Sequence, residues 1–261
     1  MATMSLGKNT IEYEQAGTGP DIVLLPTLLA EMSVYDEVIN DLRQHNRVTR
    51  FNFPGFGQST GPIEASVAAY ADLMSEAMKS LGLPPETDII GNGFGGFIAG
   101  TMAIRHGDAF QKLILMDSGP GFPAPAQEIL RGLGNKAKEE GMGGVLDAAI
   151  KRMFPEPFIT RHPDIITRRK ECLSEVDPDL FANAAFALAD LDNAPKLKDI
   201  KYPTLVVVGL EDATTPPALS YQLAEGIAGA ELIELPEIGH CPQLQDPAGF
   251  LRVVMPFLGL S

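Results

Sequence analysis

The chain has 261 residues, 45% of them hydrophobic and 21% charged, with 13 phenylalanines; such a composition builds a packed core and excludes intrinsic disorder. Its formal net charge of -14 repels phosphate backbones and anionic lipid, so nucleic acid and membrane are not expected partners and a small molecule is. Two cysteines, Cys172 and Cys241, are too few for a disulfide framework or a cysteine metal cluster, and neither a metal nor a cofactor is expected.

Met1 to Lys8 hold no apolar run of signal-peptide length, and no later stretch approaches the roughly 20 apolar residues of a membrane span. A cytoplasmic location is expected. Short apolar runs then recur along the chain. Ile22-Val23-Leu24-Leu25, ending at Pro26, has the pattern of a strand buried on both faces of a parallel sheet. Residues 47–51, 87–90, 113–116 and 205–208 read the same way, and 231–235 more weakly.

Helical patterns lie between these runs. The best spans 64–81, where Val67, Ala71, Met74, Met78 and Leu81 follow at spacings of four, three, four and three before Gly82, giving one apolar stripe and a stop. Buried strands alternating with helices predict a parallel sheet covered on both faces, with ligand at the carboxyl ends of its strands. The alternation breaks between Gly119 and Asn193, where helical patterns occur near 127–140, 144–153, 163–175 and 178–189 and prolines punctuate the connections. This predicts a core made of residues 1–118 and 194–261 and a helical cap of 119–193. Phe122, Met142, Met153, Phe154 and Phe158 predict a partly apolar lid.

Gly91-Asn92-Gly93-Phe94-Gly95-Gly96 follows one buried strand and opens a helix, the setting of a G-x-S-x-G nucleophile elbow, with glycine in the serine's place. Glycine-rich strand-to-helix turns also serve as phosphate cradles or as plain packing. Gly91, Gly93 and Gly96 meet the bare dinucleotide spacing, but this strand is not the chain's first and no acidic residue ends a strand about 20 residues on. Near the other end, Asp212 lies just after the run 205–208, and His240 follows the last strand. Alone, each reads as a turn residue or a surface histidine; in the order elbow, acid, histidine they form a catalytic constellation. His45, His106 and His162 have no such context.

At this point the chain is similar to α/β-hydrolases of the 3-oxoadipate enol-lactonase-like branch. The resemblance rests on Pro54-Gly55-Phe56-Gly57-Gln58-Ser59, residues 91–96, Arg152-Met153-Phe154, 203–209, Asp212-Ala213-Thr214-Thr215-Pro216-Pro217 and Gly239-His240. It implies an α/β-hydrolase fold with a mostly parallel eight-stranded sheet, helices on both faces and a helical cap. It also implies a site built on Gly93, Asp212 and His240, with the amides of Leu28 and Phe94 as oxyanion donors. Two departures stand out: the serine is missing at position 93, and the loop after the first buried strand reads Pro26-Thr27-Leu28-Leu29 where the family commonly has His-Gly or Asn-Ser.

No substitute nucleophile is evident in the sequence. Cys241 adjoins His240 in the chain, a place from which it seldom faces the ring, Asn92 is expected to point away from the pocket, and Thr27 has no evident base. Asp117 is a fallback acid for His240. Three functions follow. One is a carboxylic ester or lactone hydrolase whose serine was replaced, by engineering or by natural loss. Another is a nucleophile-free His/Asp general-base enzyme, a lyase, isomerase or decarboxylase. The last is a binding protein that has lost catalysis.

Overall fold

The apolar runs become the middle of one sheet. The computed structural model describes residues 1–107 and 110–260, among which eight strands pair: β1 (Ala2–Leu6), β2 (Asn9–Ala16), β3 (Asp21–Leu25), β4 (Arg47–Phe51), β5 (Asp88–Asn92), β6 (Leu113–Met116), β7 (Thr204–Gly209) and β8 (Glu231–Leu235). Their order in the sheet is β1-β2-β4-β3-β5-β6-β7-β8. β1 and β2 pair antiparallel, as do β2 and β4; every other pair is parallel. Every residue of β3, β5, β6 and β7 is buried, as expected of strands covered on both faces.

The helices are α1 (Ile39–Arg43), α2 (Val67–Ser80), α3 (Phe94–Arg105), α4 (Ala124–Glu140), α5 (Leu146–Met153), α6 (Glu156–Arg161), α7 (Pro163–Ser174), α8 (Pro178–Ala189), α9 (Pro217–Gly226), α10 (Pro242–Gln245) and α11 (Pro247–Leu258). Helix α2 starts three residues after the beginning of the segment 64–81, because the Ser66 side chain accepts the Ala69 amide and sets the N-cap there. Between β6 and β7 the described residues form α4 to α8 and one isolated bridge, Gly121 with Asp192. The short α6 had no separate sequence signal; Pro155 and Pro157, read as punctuation, stand at its start. No helix of the described residues is long and apolar enough to cross a membrane.

The chain steps from β3 outward to β4 and then returns to β5 on β3's other side. The connections leaving β3 and β5 therefore lead to opposite sides, a switch in strand order that favours a crevice at the carboxyl edge of the sheet. In register, Leu25 of β3 faces Gly91 of β5. The two loops stay side by side beyond the strands, tied by the Gly95 amide to Pro26 O at 2.9 Å. A Cβ on Gly95 would meet Leu25 O at 2.2 Å, a backbone atom with nowhere to move. Gly95→Ala should consequently cost about 3 kcal/mol or more, lowering Tm by roughly 6–12 °C or blocking folding, as thermal denaturation will show; an unchanged Tm would contradict the close approach.

Candidate active site

Each side chain of the site stands in the loop that follows a parallel strand. Asp212 follows β7, its amide bonded to Gly209 O at 3.2 Å. Its Oδ1 accepts the amides of Thr214 at 2.7 Å and Thr215 at 3.0 Å. Its Oδ2 lies 2.8 Å from His240 Nδ1. A carboxylate only accepts, so Nδ1 carries the proton and donates, and the neutral ring presents Nε2 as an acceptor.

His240 is held by its backbone from two sides. Its amide donates to Met153 O at 2.8 Å, at the end of α5. Its carbonyl accepts Asn92 Nδ2 at 2.9 Å, and Asn92 Oδ1 in turn accepts Gln243 Nε2 at 3.0 Å. Asn92 does point away from the cavity, as expected, but it is fully buried and fastens the histidine loop to the end of β5. Neither Asn92 nor Gln243 carried a sequence signal for that task.

Asp117 does not reach the ring. It adopts a left-handed φ of 47° after β6, and its Oδ1 accepts the Gly209 amide at 2.8 Å, while its Oδ2 has no partner among the described residues. Complete burial pushes its carboxyl well above the usual range, and the neighbouring Asp212 charge pushes it further. Asp212 therefore pairs with the histidine, and the shift of Asp117 favours its neutral form. Cys241 lies fully buried, its thiol also pushed up by burial.

Gly93 is the N-cap of α3, with φ 50° and ψ -118°, a backbone conformation that L side chains rarely adopt. The expectation that Thr27 has no base is overturned. Its Oγ1 lies 2.7 Å from His240 Nε2. Parallel register explains this: residues 27 and 93 each lie two beyond the paired Leu25 and Gly91, a cross-strand relation that a linear reading does not reveal. Thr27 and His240 are each 1% exposed and Asp212 is 4% exposed.

Thr27 and His240 border a cavity of about 260 Å³, together with Leu28 and Phe94. Neither the Leu28 nor the Phe94 amide has a backbone acceptor among the described residues. Phe94 is fixed from below, its ring packing edge-on against Tyr70 at 4.9 Å and Phe53 at 5.3 Å. The cavity's far wall is apolar, with Phe122, Leu130, Leu133 and Leu188, and carries two cations, Lys136 and Arg152. Of the five residues expected to form a lid, Phe122 lines this cavity. Met142, Met153, Phe154 and Phe158 are buried in packing instead; Phe154 stacks on Phe158 at 5.2 Å. Among the described residues, no group of three His, Cys, Asp or Glu side chains is placed to hold a metal.

The model of the alpha/beta hydrolase family matches residues 22–253. The chain belongs to that family. An enol-lactonase structure from Burkholderia xenovorans LB400 superposes on this alpha/beta hydrolase with a TM-score of 0.92 at 25% identity, covering 99% of this chain and all of that one. The pimeloyl-[acyl-carrier protein] methyl ester esterase of Aeromonas hydrophila is 26% identical over 261 residues, spanning 96% of this chain and 100% of that protein. Polyketide synthase ThaQ of Burkholderia thailandensis is 27% identical over 254 residues, but the chain spans only 12% of its length.

The raised Asp117 pKa has a consequence for stability. An unfolded aspartate titrates near 4, so above that pH the fold must either hold a proton that the unfolded chain releases or bury a charge, and stability falls as pH rises. Asp117→Asn keeps an acceptor for the Gly209 amide and removes this loss. Relative to the parent, the variant should gain nothing at pH 4 and become progressively more stable toward pH 8. Urea denaturation midpoints across that range test the sign; a gain confined to low pH would contradict it.

Proposed function

We propose that this alpha/beta hydrolase cleaves a carboxylic ester or lactone of a small, largely apolar acid in the cytoplasm, with His240 as general base. The observation that carries this reading is the buried His240–Asp212 pair, whose histidine lines an apolar cavity together with Leu28 and Phe94. The Leu28 and Phe94 amides are the donors for the oxyanion that forms when the carbonyl is attacked. They stand at the N-terminus of α3 and in the loop after β3, where no side chain is needed to supply an N–H. Similarity to an enol-lactonase and to a methyl ester esterase supports the reaction class.

Residues 119–193 act as a cap on the core of 1–118 and 194–261. Their side chains form the far wall of the cavity and keep bulk water from the developing charge, which strengthens every hydrogen bond to it. Lys136 and Arg152, which line the same cavity, favour a substrate that carries a negative group.

The missing side chain at Gly93 favours a second reading, in which His240 takes a proton from a substrate carbon or hydroxyl in a lyase, isomerase or decarboxylase reaction. Hydrolysis of p-nitrophenyl butyrate and of a small enol-lactone separates the two. Hydrolysis in the parent should fall by ~10³-fold or more in His240→Ala and by about 10⁴-fold in Asp212→Asn, where the ring loses its tautomer. Absence of hydrolysis, with His240-dependent deuterium exchange next to a ligand carbonyl, would favour the second reading.

A further inference from the structure

Among the described residues, Thr27 is the hydroxyl in contact with Nε2 of His240, at 2.7 Å, and it lies where a serine side chain at position 93 would go. A Cβ built on Gly93 would fall 2.3 Å from Thr27 Oγ1, 2.8 Å from Thr27 Cβ and 2.5 Å from His240 Nε2. Thr27 thus fills the volume that glycine leaves empty, and the two residues depend on each other: a larger residue at 93 displaces the threonine. With Nδ1 donating to Asp212, the neutral form of the ring accepts the Thr27 hydroxyl at Nε2, the bond a nucleophile makes with its base.

We propose that Thr27 is the nucleophile of this site, completing a Thr27–His240–Asp212 triad in which the attacking oxygen stands on the loop after β3. This rests on the ester or lactone hydrolase reading above. Thr27 Oγ1 attacks the acyl carbon while His240 Nε2 takes the hydroxyl proton, and the carbonyl oxygen becomes an oxyanion between the amides of Leu28 and Phe94. Collapse breaks the bond to the leaving oxygen, which takes the proton back from His240, and leaves an acyl ester on Thr27. Water, deprotonated by the same nitrogen, then attacks that ester. The Thr27 oxygen leaves with the proton, and the acid departs.

The backbone around Thr27 is fixed as such a role requires. Pro26 O accepts the Gly95 amide at 2.9 Å, and Thr27 O accepts the Ala30 amide at 3.2 Å. A β-branched side chain on this fixed backbone has few rotamers, so its hydroxyl keeps one direction with little entropy left to lose.

The test uses the full chain and an alkyl fluorophosphonate, which loses fluoride when an activated hydroxyl attacks phosphorus. In the parent, peptide mass spectrometry should find the adduct on Thr27. Thr27→Ser should keep the label, and Thr27→Val and His240→Ala should lose it. Thr27→Val should also lower p-nitrophenyl butyrate turnover by about a thousandfold or more, with its Tm measured alongside. An adduct on another residue would overturn the proposal. So would turnover in Thr27→Val within about threefold of the parent while His240→Ala is inactive; the hydrolase reading would then stand, with water attacking directly.

A double variant, Gly93→Ser with Thr27→Gly, separates the remaining cases. If the parent neither labels nor hydrolyses, but the double variant labels at position 93 and turns over ester, Thr27 is inert and the cavity still suits an ester. If neither protein labels or hydrolyses, both the triad and the hydrolase reading fall. The parent adduct is read without any substitution, so a variant that fails to fold leaves the main result in place.

Discussion

Parallel pairing of β3 with β5 is the constraint on which the site depends. Leu25 and Gly91 are partners, and glycine at positions 91 and 95 lets the two strand-ends and the start of α3 approach to backbone contact; a Cβ on either would collide with main-chain atoms. Because the strands run the same way, what leaves the end of one stands beside what leaves the end of the other. Thr27 and Gly93, 66 positions apart in sequence, therefore compete for one small space beside one imidazole. Glycine yields that space and threonine occupies it. The packing that makes the sheet stable is thus also what decides which residue can present an oxygen to His240.

A buried imidazole is useful only if it keeps one tautomer and one orientation. Asp212 sets the tautomer, and its own charge is stabilised by the amides of Thr214 and Thr215, so a burial cost of several kcal/mol is offset by three hydrogen bonds. The backbone bonds of His240 to Asn92 and to Met153 O set the orientation, one from the sheet and one from α5. The second bond means that α5 cannot move far without disturbing the histidine. Burial and the neighbouring Asp212 charge both raise the pKa of the Asp117 carboxyl, which favours its neutral form, and Asp212 is the carboxylate that meets the ring.

Much of this was legible in the sequence because the strongest signals are the simplest. The buried parallel strands announce themselves as continuous apolar runs, and the order of glycine turn, acid and histidine is readable with glycine at position 93. β1 and β2 lacked such a signal. They lie at the antiparallel edge, where Asn9–Ala16 carries polar residues on its exposed positions and presents no apolar run. The helices between β6 and β7 were foreseen, yet most of the large side chains expected to face the cavity pack elsewhere. An amphipathic helix shows which face is apolar but not whether that face meets a cavity or another helix. Thr27 was set aside for want of a base, since its base stands 213 residues away and is brought to it by register alone.

Moving the oxygen from one loop to the other changes less than it first suggests. In a serine elbow one oxyanion donor is the amide that follows the nucleophile, and the other comes from the loop after the neighbouring strand. Here Leu28 follows Thr27 and Phe94 follows Gly93, so the same two amides serve with their roles exchanged. The elbow's strain, however, disappears. A side chain at position 93 would sit at φ 50°, at a cost of order 1–3 kcal/mol, whereas Thr27 carries no positive φ. In this arrangement the helix N-terminus, the two amides and the histidine stay where the fold puts them, and the hydroxyl comes from a residue whose backbone is relaxed. The glycine then has a positive role: its missing side chain lets the threonine reach the base.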